Sequence, residues 1–289
     1  MGSPFFETGT AVTPVRHGQF RAHLSDAWNC PIVPHGGIVT AVAARAMATE
    51  LEHPEQTLRS ITSVFAGQVR PGPVVIDVTT LRRGRSMSQL SATLRNPDAD
   101  AGLTALAVFG AEREGFEFTD AIPPEGIAWP NQCPSFRDDA PEGVDDTRVP
   151  FNFWEHVEGR AVLGHAPWEE YEPTTSLTAK WVRFDEPPRG DDGSWDPLAV
   201  VALCDTMPGS AFEKIGPSSR ATRVLPPSAD LTVHVFGTAR CDWLLAVNRA
   251  RRATSGYASV DMEMWDMDGP EPHLVAYTTQ LMFFSFPKE

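Results

Sequence analysis

Hydrophobic positions alternate with polar ones through two well-separated stretches of this chain, SMSQLSATLRN (86–96) and ASVDMEMWDMDG (258–269). Each is followed by a turn rich in Asp, Gly or Pro and then by a second strand-like run, LTALAVFGA (103–111) or LVAYTTQLMFF (274–284). Period-two alternation between such turns predicts antiparallel strands with one buried face. Two other segments are apolar all round: GGIVTAVAARAMATEL (36–51), reached through Pro34-His35, and DPLAVVALCDTMPGSAF (196–212). Both predict buried helices, the second with Asp196 as N-cap and Pro197 as its first helical residue. Strand-like segments precede them, FRAHLSDAW (20–28) and SLTAKWVRF (176–184).

The pattern is written twice. Residues 64–84 laid over 233–253, an offset of 169, put Val74-Val75-Ile76 on Trp243-Leu244-Leu245 and Arg82-Arg83 on Arg251-Arg252. Alternation alone produces some such matching, but helix order, paired arginines and the closing strand recur together. The expected fold class is α+β: two tandem modules, 1–115 and 151–289, each a long antiparallel sheet wrapped around one central helix. Residues 116–150, dense in proline and acid and without periodicity, read as the linker.

Composition narrows the function classes. A formal charge of −14 and a pI near 5.0 disfavour a nucleic-acid partner. No run of eighteen apolar residues predicts a membrane span, and the N-terminus lacks a signal-peptide pattern, so a cytoplasmic protein is expected. Cys30, Cys133, Cys204 and Cys241 have no metal-ligand or C-x-x-C spacing and read as reduced structural thiols. The eight histidines form no ligand motif, so no metal or cofactor is expected.

Asp205 stands out, a carboxylate on a helix with no polar face. Such a group is costly to bury unless partners hold it there. Its plainer reading is an Asp near a helix end that reaches solvent or caps the turn at Pro208-Gly209.

The ordered set PHGGIVTAVAARA (34–46), LRRGRSMSQLSATL (81–94), LCDTMPG (203–209), SADLTVHVFGTARCDWLLAV (228–247) and LVAYTTQL (274–281) resembles the double-hotdog acyl-CoA thioesterases of the thioesterase II group. The resemblance implies an Asp, a hydroxyl and a Gln that activate water: Asp205, Ser228 and Gln280, with Thr232 competing for the hydroxyl role. It also implies an acyl-CoA substrate in lipid metabolism and homo-oligomers, dimers or tetramers of double hotdogs. Gly36 and Gly37 are candidates for the oxyanion site with His35 beside them, although glycines there also simply make a tight turn. Arg83, with Arg82, Arg85, Arg251 and Arg252, is a candidate for coenzyme A phosphates, against the commoner role of a solvated strand face. Trp243, Trp265 and Phe109 are candidates for an acyl tunnel, against ordinary core positions.

Alternatives lack their residues. No G-x-S-x-G elbow is present, and Cys204 points about 100° away from Asp205 on a helix with no histidine near in sequence. Hydration of an enoyl thioester lacks a histidine on the Asp205 helix. A non-catalytic acyl-CoA or lipid-binding hotdog remains the competing reading.

Overall fold

The computed structural model describes residues 5–144, 151–166, 168–217 and 224–286. After a short helix α1 (Phe5–Gly9), the N-terminal half runs β1 (Thr13–Arg16), β2 (Gln19–Leu24), α2 (Gly36–Leu51), β3 (Thr57–Phe65), β4 (Gly72–Arg82), β5 (Met87–Arg95) and β6 (Leu103–Gly110). The C-terminal half repeats this order as β7 (Val157–Leu163), β8 (Leu177–Phe184), α3 (Pro197–Leu203), α4 (Gly209–Ile215), β9 (Asp230–Val235), β10 (Leu244–Thr254), β11 (Tyr257–Asp266) and β12 (His273–Phe283).

All twelve strands join one antiparallel sheet in the order β1-β2-β4-β5-β6-β3-β9-β12-β11-β10-β8-β7. Read outward from the β3–β9 seam, the two halves are the same, β3-β6-β5-β4-β2-β1 against β9-β12-β11-β10-β8-β7. That mirrored order is the α+β tandem expected from the repeat, and it is the double hotdog that the resemblance implies. At the seam Ser60–Val64 pair with Asp230–His234, so one continuous hydrogen-bonded ladder crosses between halves.

The sheet curls around the helices because α2 has no polar side to show to water. Ile38, Ala41, Val42, Ala43, Ala44, Ala46 and Met47 are fully inaccessible, and removing side chains the size of Ile38 or Met47 from water stabilises by about 1.5–3 kcal/mol each. The alanines let neighbouring layers approach closely. The N-terminal end of α2 abuts the C-terminal end of α3: a Cβ on Gly37 would run into the Ala202 carbonyl, 2.9 Å from its carbon.

The second central helix is not continuous over 196–212. It starts as expected, with Asp196 Oδ1 accepting from the Leu198 N–H at 2.9 Å. It stops at Leu203, and a separate α4 begins at Gly209. Pro208 has no N–H to offer the Cys204 carbonyl one turn back, and it disfavours helical backbone at Met207. Asp205 therefore sits in the turn between two short helices.

The outer face of the C-terminal sheet carries a second apolar cluster, Cys133, Ala179, Trp181, Leu245, Val247 and Trp265. Residues 111–129 form neither helix nor strand, and the later part of this stretch, from Ala121 to Trp129, packs over it. The Trp181 indole donates to the Ala128 carbonyl at 2.9 Å, and Trp129 stacks on Trp181 with ring centroids 5.7 Å apart. Trp265 belongs to this outer layer and Trp243 lies under Arg183, 4.3 Å from its guanidinium; Phe109 is buried in the main core. Among the described residues no helix is long and apolar enough to cross a membrane.

Candidate active site

Side chains and backbone from both halves meet at Asp205. Its carboxylate is buried and accepts three hydrogen bonds: from the Gly37 N–H at 2.8 Å, from the Ser228 hydroxyl at 3.0 Å, and from the Gln280 amide. The same Gln280 amide also donates to Ser228 Oγ. An ionised carboxylate has about four lone-pair directions, so these donors leave one open. Asp205 thereby caps the N-terminus of α2, where His35 holds the N-cap position without a side-chain capping bond. The two halves are electrostatically joined at this point.

Gln280 reaches the site by simple strand parity. On β12, Thr278, Gln280 and Met282 are buried while Thr279, Leu281 and Phe283 face outward. Gln280 Oε1 is buried and bonds to no described group.

Ser228 reaches it through an irregularity. Thr279 pairs with Thr232 on β9, and continuing that register would oppose Met282 to Ala229. Instead Met282 bridges Ser228, so one extra residue enters the strand and Ser228 turns inward. The Asp230 side chain repairs the ladder there, accepting from the Leu281 N–H at 2.8 Å.

Thr232 is not brought to this cluster. Leu231 and Val233 are its buried neighbours, so it faces the opposite side of the sheet, where its hydroxyl donates to Thr62 Oγ1 at 3.1 Å. Arg83 is absent from it too. Its guanidinium donates to the Glu50 carbonyl at 3.1 Å, at the C-terminal end of α2. Glu50 lies fourteen positions after Gly36, about 21 Å along the helix.

Gly36 and Gly37 are both required by close approach. A Cβ on Gly36 would stand 2.6 Å from Asp205 Oδ2 and 2.9 Å from the Phe65 ring. The Gly37 N–H is committed to the carboxylate.

His35 lies against the same turn. Its Nε2 is 3.1 Å from the Asp205 carbonyl oxygen, and its ring stacks on Phe153 at 4.1 Å. Burial lowers its pKa, against the opposing pull of Asp205. A neutral ring then donates from Nε2, leaving the buried and unpartnered Nδ1 as an acceptor.

Two further groups at the site carry no motif. Lys180 on β8 is buried and donates to the Thr206 carbonyl; burial brings its pKa down to about 7. Its sequence signal was parity: Lys180 shares the inward row of β8 with Val182 and Phe184. Cys30 has its thiol pushed up to about 12 by burial and by the Asp205 charge, so it stays protonated at neutral pH. Cys204 is fully buried with its thiol raised for the same two reasons, which removes it as a nucleophile. Among the described residues no group of three or more His, Cys, Asp or Glu is placed to hold a metal ion.

Comparison with known proteins places the chain in a family context. The model of the acyl-CoA thioesterase N-terminal domain matches residues 24–110, and that of the C-terminal domain matches residues 130–284. No curated protein matches the chain. Among solved structures, a hot dog fold protein of unknown function from Alicyclobacillus acidocaldarius is 27% identical with a TM-score of 0.79, covering 98% of each chain. The acyl-CoA thioesterase II of Mycobacterium marinum is 20% identical with a TM-score of 0.70, covering 98% of this chain and 99% of its own. The TesB protein of Mycobacterium avium subspecies paratuberculosis is 19% identical, TM-score 0.71, with 97% and 98% covered.

Proposed function

Because the chain belongs to the acyl-CoA thioesterase family, we propose that it hydrolyses a hydrophobic acyl-CoA to the free acid and coenzyme A, with Asp205, Ser228 and Gln280 activating a water. The observation that carries this reading is the direct contact of these three side chains, drawn from positions 205, 228 and 280, around one buried carboxylate.

The open lone pair of Asp205 accepts one O–H of the water, and the unpartnered Gln280 Oε1 accepts the other. Two acceptors on the hydrogens turn the water's own lone pair outward, toward a thioester lying over the start of α2. Attack forms the C–O bond as the proton passes to Asp205. The carbonyl oxygen becomes an oxyanion, assigned here to the Gly36 N–H and the positive end of the α2 dipole, since the Gly37 N–H holds Asp205. Collapse of the tetrahedral intermediate breaks the C–S bond. Asp205 returns its proton to the departing thiolate, leaving acid, thiol and the original carboxylate.

Ser228 keeps the carboxylate and Gln280 in register rather than attacking. Its hydroxyl donates to Asp205 and accepts from Gln280, so its oxygen is engaged on both counts. Thiol release from acyl-CoAs of graded chain length tests the function. Turnover of at least one hydrophobic acyl-CoA supports it. Tight binding of intact acyl-CoA without thiol release over hours would assign the protein to binding instead.

A further inference from the structure

In the turn between α3 and α4 the carbonyls of Leu203, Asp205 and Thr206 are each held by a different side chain, that of Leu203 also accepting the Thr206 N–H at 3.3 Å. Leu203 O accepts from the Thr206 hydroxyl at 2.8 Å. Asp205 O accepts from His35, which comes from the other half of the molecule. Thr206 O accepts from Lys180, which comes from β8. The two peptide groups that follow the Asp205 Cα are thus each fixed by a side chain from a different half of the molecule.

Lys180 is an unexpected residue for its place. It points inward between small lateral neighbours, Ala161 on β7 and Ala246 on β10, which leave room for its long stem. The next inward positions on its strand are Val182 and Phe184, both buried apolar residues. An ammonium in such a row is strongly disfavoured unless it makes a specific interaction. The interaction it makes is with the Thr206 carbonyl, just beyond the C-terminal end of α3, where the helix dipole makes the local potential negative.

We propose that Lys180 is a positioning residue for hydrolysis: by holding the Thr206 carbonyl it fixes the turn that aims the Asp205 carboxylate at Gln280 and Ser228. The inference rests on the reading of Asp205 as the base. Among the described residues Lys180 donates to the Thr206 carbonyl and not to the carboxylate or to the other two site side chains, so it acts through the backbone. A displacement of about 1 Å at a reacting group costs on the order of 100-fold in rate. A freed turn therefore lowers kcat while leaving KM, which reports acyl-CoA binding elsewhere, nearly unchanged.

The test compares Lys180→Met, Lys180→Arg and Asp205→Asn in the full chain, with acyl-CoA hydrolysis and melting temperature measured on each. The expected result is at least a tenfold fall in kcat for Lys180→Met, with KM within threefold and no fall in melting temperature, and a partial return of kcat in Lys180→Arg, which restores a donor. If Lys180→Met fails to fold, Lys180→Arg and Lys180→Gln give the same reading per folded molecule, the glutamine being too short to reach the carbonyl. A folded variant without the donor that keeps kcat within threefold of the parent overturns the proposal, as does a loss of rate matched by an equal loss of folded protein. Should Asp205→Asn also remain fully active, the assignment of the base falls with it. If only Asp205→Asn is inactive, the base stands and Lys180 alone loses its role.

Discussion

Replacing Asp205 by asparagine separates the chemistry of the site from its contribution to folding. The carboxylate accepts three donors, and hydrogen bonds to a charged acceptor are worth about 1.5–3 kcal/mol against about 0.5–1.5 for a neutral one. Neutralising it weakens those bonds by on the order of 3 kcal/mol in total. The loss is offset, because burying a charge costs several kcal/mol that the amide does not pay. Geometry also permits the exchange. The asparagine oxygen can keep the Gly37 N–H, while its NH2 group faces Gln280 and Ser228; Gln280 can turn its amide to present Oε1, and the serine hydroxyl can rotate. The expected change in stability is within about 2 kcal/mol, which for a chain of this size is a shift of roughly 4–8 °C at most in melting temperature. The rate behaves differently. Asparagine cannot take a proton from water, and loss of a general base costs about 100- to 10,000-fold. Thiol release from a long-chain acyl-CoA, with calorimetric melting of the same samples, measures both quantities. A variant that melts like the parent and still hydrolyses within tenfold of it would refute the assignment of Asp205 as the base.

Ser228→Ala removes one donor to Asp205 and one acceptor for Gln280, so kcat should fall about 10- to 100-fold, whereas Thr232→Val on the outer face should leave kcat unchanged; equal losses in the two would contradict the register argument. Gly37→Ala drives a methyl group into the Ala202 carbonyl and displaces α2 from Asp205, so it should cost at least about 1–3 kcal/mol in denaturant unfolding as well as activity. For Lys180 the folded pKa is below the ordinary value of 10.5, so between about 7 and 10.5 the unfolded chain holds a proton that the folded protein does not, and stability rises with pH across that window. At about 1.4 kcal/mol per pH unit the full interval corresponds to on the order of 5 kcal/mol, and Lys180→Met should abolish that rise in melting experiments from pH 7 to 10.

The parts of this fold that sequence made legible are those governed by period and punctuation. Alternation located β5, β6, β11 and β12, and Asp196-Pro197 marked the start of α3. Gln280 was named through the resemblance alone, and the parity of β12 turns it inward. Other features depend on distant partners. The Pro208-Gly209 turn was visible, yet the apolar run 196–212 read as one helix, because the break is stabilised by His35 and Lys180 from remote segments. Ser228 and Thr232 were indistinguishable by composition; only the extra residue between the two pairing registers turns one inward and leaves the other outside. Arg83 lies one residue past the end of β4, and the helix end it meets is set by tertiary packing. Residues 111–129 carry no periodicity, so the packing of 121–129 over Trp181 and Trp265 had no local signal.

Direct attack by water, steered by Asp205 and Gln280, is tested most sharply by a single turnover with enzyme in excess over acyl-CoA in 18O-labelled water. The expected outcome is one heavy oxygen in the carboxylic acid and none in the protein. Unlabelled acid together with heavy oxygen in the peptide that contains Asp205 would mean that the carboxylate attacks the thioester itself, and the account of a water held between the two side chains would be wrong.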